Sequence, residues 1–145
     1  MSLIDAAVRN QLLNVNAVTA IVADRIFFDM IPIGETLPAI IISLISDIPD
    51  RNVPGLWLSR VQISCWSNPV MQNGLKSPEE VSVLADAVKT ALHQPHLNKG
   101  VSAWTVGKTT YSVSSVKVEN GPRLVDMLSD WYHMPVDVLI NFREV

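Results

Sequence analysis

The sequence predicts an α+β fold: an antiparallel or mixed β-sheet with an N-terminal helix and one amphipathic helix packed on one face. Helical periodicity occurs only at the start and in the middle of the chain, and segments of strand character flank the middle helix. The connections between strands are mostly too short to hold crossover helices, which disfavours a purely parallel sheet. The 145 residues fit a single domain, 1–145.

The chain is predicted to begin with two helices. Ser2 is a good N-cap and Asp5 favours the positive end of the helix dipole. The apolar positions approximate one helical face: Leu3, Ala7, Val8 and Leu12. A short second helix over 16–22 and a short strand over 25–28 follow.

A hairpin with a long loop is predicted next. Residues 39–45 (AIIISLI) are rich in β-branched side chains, which suits a strand buried on both faces. Residues 57–66 alternate in polarity, with Val61, Ile63 and Cys65 on the apolar side, and predict the second strand. The polar connection 47–55 contains two prolines.

The strongest local signal comes after a predicted loop over 67–76. Ser77 is an N-cap candidate, with Pro78 at the first helical position and Glu80 at the third. An amphipathic helix of about fourteen residues is expected to follow and to end before Pro95. Alternating segments then predict three strands, at 103–106, 111–118 and 132–142.

Charge and composition argue against several functions. The 11 basic and 14 acidic residues give a net charge of -3, and without a basic cluster we expect no stable nucleic-acid binding. The longest apolar run is far shorter than a membrane span, and no signal peptide precedes it. Gly107-Lys108-Thr109 lacks both the earlier glycine and the following helix of a phosphate-binding loop, so it predicts a hairpin turn.

No catalytic, metal or cofactor site is predicted, and we do not expect an enzyme. His93 and His96 lack further ligands nearby in the sequence. Cys65 lies in mid-strand, where a thiol acts as a small apolar side chain. Four aspartates could form a site only if the fold brought them together: Asp47, Asp50, Asp126 and Asp130. The four tryptophans leave two interpretations open, core packing and anchoring of a protein partner.

Five segments together resemble the small tail-terminator or tail-completion proteins of long-tailed bacteriophages, which are minor tail proteins. The resemblance covers an Arg-Ile-Phe strand start, a Leu-Pro-x-Ile strand, a strand ending at Trp, a helix ending in Ala-Leu and a regular last strand. These segments are 17–27, 37–42, 61–67, 83–92 and 132–140.

The resemblance implies a structural role without a reaction. Such proteins form rings, with a hexamer implied here, that cap the tail tube, stop its polymerisation and join it to the head. The implied partners are further copies of the chain, the tail tube protein and a head-completion or connector protein. The implied location is the virion tail, and the host cytoplasm during assembly. A head-completion or neck protein, or a small enzyme with carboxylates assembled by the fold, are the alternatives.

Interface residues are predicted in the two segments that separate strands, 47–55 and 120–129, and at two tryptophans that border loops, Trp57 and Trp131. Exposed apolar side chains there are costly unless a partner covers them. The candidates are Ile48, Val53, Trp57, Leu124, Val125, Met127, Leu128 and Trp131. The competing interpretation is that Leu124 and Leu128 fold back over the core as one helical turn.

Overall fold

The secondary structure follows the predicted order of helices and strands, with short strands added. The structure, a computed structural model, describes residues 3–93, 102–121, 123–125 and 131–145. Its elements are α1 (Ile4–Leu13), α2 (Asn16–Val22), β1 (Ile26–Phe28), β2 (Ala39–Pro49), β3 (Trp57–Ser67), β4 (Val70–Gln72), β5 (Leu75–Ser77), α3 (Glu79–Leu92), β6 (Ser102–Val106), β7 (Thr109–Asn120), β8 (Leu124–Val125) and β9 (Tyr132–Glu144).

The large sheet has the order β1-β2-β3-β9-β7-β6, and β8 also pairs with β9. All neighbouring strands in it are antiparallel except β1 and β2, which are parallel. The connection 29–38 contains no helix, and it returns the chain to the end of the sheet at which β1 began, so that β2 runs in the same direction. The sheet is therefore mixed, and the predicted α+β class is confirmed.

All three helices contribute to one apolar core on one face of the sheet. The core alternates along each long strand, as in Val61, Ile63 and Cys65 of β3. Their neighbours in sequence, such as Arg60 and Gln62, point to the opposite side, which we call the outer face. The sheet is thus amphipathic, because an antiparallel sheet needs only one face covered.

Helix α1 reaches both edge strands of the sheet. Arg9 Nε donates a hydrogen bond of 2.8 Å to the carbonyl of Ile26 in β1. The adjacent Asn10 donates from Nδ2 to the carbonyl of Thr105 in β6, over 3.0 Å. The sheet therefore curls far enough for one helix to occupy backbone acceptors at both edges.

Two predicted loops contain strand. Residues 47–49 belong to β2, since Asp47 lies opposite Ser59 and Ile48 opposite Leu58. The predicted connection 47–55 was therefore too long, and the hairpin loop is 50–56. The predicted loop 67–76 holds the hairpin β4–β5, which turns at Asn73 and Gly74, both with positive φ.

The composition of β2 predicts a strand that is buried on both faces, but in the structure it is not buried on both. Ile40 and Ile42 are fully buried, whereas Ile41 is half-buried and Ile45 is 51% exposed. β-branched residues favour the extended backbone whether or not both sides are covered, so this composition did not distinguish the two cases.

The helix starts differ slightly from the prediction. Helix α3 has the predicted fourteen residues, but it begins at Glu79 with Pro78 in the N-cap position. Ser77 Oγ still accepts a hydrogen bond of 3.3 Å from the Glu79 amide. The predicted cap of α1, Ser2, lies outside the described residues.

Candidate interaction surfaces

The far end of the β2–β3 hairpin, residues 45–58, carries exposed apolar side chains, and we call it the arm. Ile48 and Leu58 lie opposite each other on the outer face and are 55% and 38% exposed. Ile45 is exposed at a register irregularity between Leu44 and Ser46. We call these three exposed side chains the apolar strip of the arm, because polar side chains are expected at such positions on a solvated hairpin.

The tip of the arm, residues 50–56, is a structured loop. The Asp50 amide donates to the carbonyl of Leu56 over 2.8 Å. Asp50 Oδ1 accepts hydrogen bonds from the amides of Asn52 and Val53, at 2.7 and 3.0 Å. These contacts present the exposed side chains of Arg51 and Val53 on a fixed backbone.

Trp57 is turned toward the core rather than fully outward. It lies opposite Phe142 and packs against the core cluster, half-buried. It also lines an open groove of about 430 Å³ at the base of the arm, together with Leu44, Ile45, Ser46 and Asp47. Asp47 accepts a hydrogen bond from the buried Ser59 hydroxyl.

An aromatic cluster of Trp66, Trp131 and His133 lies at the other end of the sheet, on the outer face. The rings of Trp66 and His133 stack with centroids 4.2 Å apart, and Trp131 meets Trp66 edge-on at 6.3 Å. Trp66 Nε1 and His133 Nε2 are buried without a hydrogen-bond partner. Burial lowers the pKa of His133 by penalising the charged imidazolium.

The segment 120–129 begins as strand and not as a loop or helical turn. Asn120 ends β7, and Leu124 and Val125 form β8 opposite His133 and Tyr132. The helical turn considered for Leu124 is therefore wrong, because β9 supplies its backbone with a pairing partner. Leu124 is 46% exposed beside His133. Met127 and Leu128 lie outside the described residues, as does the side chain of Val125.

Gly121 joins β7 to β8 at a close approach of two backbones. Its amide donates to the carbonyl of Pro135 over 2.8 Å. A Cβ at position 121 would lie 2.5 Å from Pro135 Cγ. Only glycine lets the strand pass this proline without displacing it.

A second open groove, of about 440 Å³, lies between α2 and α3. Ala20, Ile21 and Val83 supply an apolar lining, and Glu79 and Glu80 supply carboxylates. Val83 is 52% exposed. We did not predict this groove; the available signal was Val83, a valine on the polar side of α3, three residues after the second of two glutamates.

Where the structure describes them, the residues that were considered as catalytic, metal-binding or phosphate-binding candidates lie in the core, in strands, in turns or at a helix end. Cys65 is fully buried, and desolvation raises its pKa to about 12, which confirms its role as an apolar side chain. Asp50 holds the tip of the arm, and Gly107 and Lys108 form the predicted hairpin turn between β6 and β7. His93 follows α3 and is exposed, whereas His96, Asp126 and Asp130 lie outside the described residues.

Two further absences concern only the part of the chain that the structure describes. There, no group of three or more His, Cys, Asp or Glu side chains is arranged to hold a metal ion. Within the same residues, no helix has the length and apolar character needed to cross a membrane.

Comparison with solved structures finds a similar fold in a chain of a gene transfer agent particle. One matching chain belongs to the virion of a native gene transfer agent particle, with a TM-score of 0.64 and 14% identity. The match covers 96% of this chain and 93% of the other. No curated protein matches the sequence.

Comparison with family models gives a match over residues 6–139 to tail completion protein gp17. That span includes α2 and α3, all but the first two residues of α1 and all but the last five residues of β9. It confirms the resemblance drawn from the order of the sequence segments. The chain therefore belongs to the tail completion protein gp17 family and is a structural protein of a phage virion, located in its tail.

Proposed function

We propose that the protein is a tail terminator. In this proposal, identical copies assemble into a closed ring, with a hexamer expected, and the ring caps the tail tube and stops its polymerisation. The opposite side of the ring then receives a head-completion or connector protein. No chemical reaction is required of the subunit.

The observation that carries the proposal is the apolar strip of the arm. Ile45, Ile48 and Leu58 are each more than a third exposed, although all three belong to the β2–β3 hairpin. Contiguous exposed apolar side chains mark contact sites, because covering them with a partner removes their area from water. A closed ring requires each copy to contribute two different patches, and the arm is suited to be one of them.

A second surface around β8 is proposed to face the tube or the head. Leu124 is exposed beside the aromatic cluster, whose Trp131 belongs to a residue type enriched at binding hot spots. Val125, Met127 and Leu128 are part of the same proposal through their position in the sequence. Val53 and Trp57 belong with the arm.

The test combines two readouts. Light scattering and electron microscopy of the purified chain across the micromolar range are expected to show rings. Adding the chain to polymerising tail tube protein is expected to yield tubes of limited length with a ring at one end. The double substitution Ile48→Ser and Leu58→Ser is expected to leave a folded monomer that no longer limits tube growth.

The matched control is Leu3→Ser, which removes an equally exposed leucine on the helix side of the molecule. This control should assemble like the parent chain. A parent chain that is monomeric both alone and with tube protein would contradict the proposal. Rings that bind the head connector but leave tube growth unlimited would replace termination with a neck role.

A further inference from the structure

We infer that the tip of the arm on one copy docks into the α2–α3 groove of the next copy, with Arg51 placed against the carboxylate of Glu80. This inference rests on the proposed ring and names the two patches through which neighbouring copies meet.

Charge complementarity selects the occupant of the groove. The groove joins an apolar lining, chiefly Ile21 and Val83, to two carboxylates at the start of α3. A suitable occupant carries a cation next to an apolar side chain. The tip offers this combination, since Arg51 and Val53 are both exposed and two residues apart. An arginine fork can engage carboxylate oxygens in pairs.

The positions of the two patches suit a head-to-tail contact. The tip adjoins the Trp57 end of β3, whereas α3 begins close to the Ser67 end, because Ser77 pairs with Val70 just after β3. β3 has eleven residues, so its ends are about 30 Å apart. Patches at opposite ends of a subunit propagate contacts around a ring.

The groove at the base of the arm is a poorer receptor for the tip. It carries Asp47, whose carboxylate accepts the Ser59 hydroxyl, and it adjoins the tip on the same copy. Because this carboxylate is already engaged within the chain, the groove at the base of the arm offers less to a cation on the tip.

The tip is preorganised for docking. The Asp50 carboxylate already bonds two amides of the loop, and its own amide bonds Leu56. A loop held in this way loses little conformational entropy on binding, so more of the contact energy is retained as affinity.

Charge exchange tests the contact. Arg51→Glu alone and Glu80→Arg alone are each expected to raise the concentration for half-assembly about 5-fold or more, since repulsion replaces attraction. Combining them is expected to restore assembly to near the parent value. The parent rings should also dissociate more readily as salt is raised, whereas rings of an Arg51→Leu variant should respond less.

The controls are Lys108→Glu at another hairpin turn and Glu35→Arg in the connection before β2, both at exposed positions. Both should assemble like the parent. A parent that stays monomeric overturns the proposed ring and this contact with it. A parent that forms rings, together with an Arg51→Glu variant that forms them equally well, overturns only the contact. The contact is likewise overturned if the double variant does not recover assembly although its melting temperature equals that of the parent.

Discussion

At the scale of the residue, Gly121, which contacts β9, and His133, which lies in it, leave little room for a change in side-chain size or charge. Gly121 passes Pro135 at a distance that excludes any side chain, and its amide bonds the proline carbonyl. His133 stacks on Trp66 with a buried nitrogen that has no partner. Both residues lie next to the proposed β8 surface, so substitutions there test the structure that supports it.

Gly121→Ala is expected to lower the free energy of unfolding by about 1–3 kcal/mol, because the added methyl group overlaps the Pro135 ring. Urea denaturation measures the loss. The double variant Gly121→Ala with Pro135→Ala removes the clashing Cγ and should regain part of it. Unchanged stability of the single variant would show that the strands separate here at no cost.

Stability is expected to depend on pH through His133. The folded state lowers the pKa of this imidazole from its ordinary value of 6.5, so the unfolded chain binds the proton more readily. The neutral imidazole's contribution to the free energy of unfolding is complete above pH 6.5, and it is lost as the pH falls toward the pKa of the folded state. His133→Phe keeps a ring against Trp66 but cannot be protonated, so it should lose less stability between pH 7 and pH 5.

Denaturant unfolding at each pH, at concentrations where the chain is monomeric, makes this comparison. His93→Gln is the control, because His93 is exposed after α3. Parallel pH profiles for the parent and the His133→Phe variant would contradict the prediction.

At the scale of the element, helix α1 both covers the core and closes the sheet. Its Arg9 and Asn10 bond carbonyls of the two edge strands, which otherwise offer unpaired backbone groups to other chains. The same helix buries Ile4, Ala7, Val8 and Leu12 in the core. One short helix therefore contacts both edge strands of the sheet, β1 and β6.

Arg9→Met is expected to destabilise the protein by about 1–3 kcal/mol, because the Ile26 carbonyl loses a charged donor while the apolar stem is kept. The freed edge should also increase aggregation in light scattering. Gln11→Met on the same helix is the control. If both variants have the same melting temperature as the parent, the edge contact contributes nothing to stability.

The elements that could be predicted from the sequence are those with strong periodicity. Val81, Leu84, Ala85 and Val88 repeat at helical spacing and do form the buried side of α3. The alternation of β3 and β9 likewise matches their buried positions. Strand ends were less predictable: Asp47 and Pro49 have low strand propensity, and cross-strand pairing with Ser59 and Trp57 outweighs it.

The candidate surfaces were predictable in part for a related reason. Ile48, Val53 and Leu124 were selected as apolar residues in segments between predicted strands, and all three are exposed. Trp57 was selected with them but faces the core, because alternation along β3 places it on the Phe142 side. The α2–α3 groove joins residues about 60 positions apart in the sequence, which local patterns do not relate.

At the scale of the whole molecule, two cations of the outer face are paired within the chain. Arg60 bonds Asp137 over 2.7 Å, and Lys117 bonds Glu119 over 3.1 Å. With the net charge of -3, this arrangement leaves little free positive potential for phosphates.

We therefore expect duplex DNA to bind only weakly, without a salt-sensitive affinity tighter than micromolar. Fluorescence anisotropy of a labelled duplex at low and high salt measures this. The variant Asp137→Asn with Glu119→Gln frees both cations and should bind more tightly than the parent. Tight, salt-sensitive binding by the parent itself would contradict the expectation.

The contacts of α1 also set an order of events during synthesis. The helix precedes the other described elements in the chain, yet its acceptor Thr105 and the Tyr111 hydroxyl that receives the Leu3 amide come about a hundred residues later. On the ribosome, α1 must wait for most of the chain before it can secure both edges. A nascent subunit therefore lacks one of the two edge contacts of α1 until synthesis has passed Thr105, and premature association is favoured in that interval.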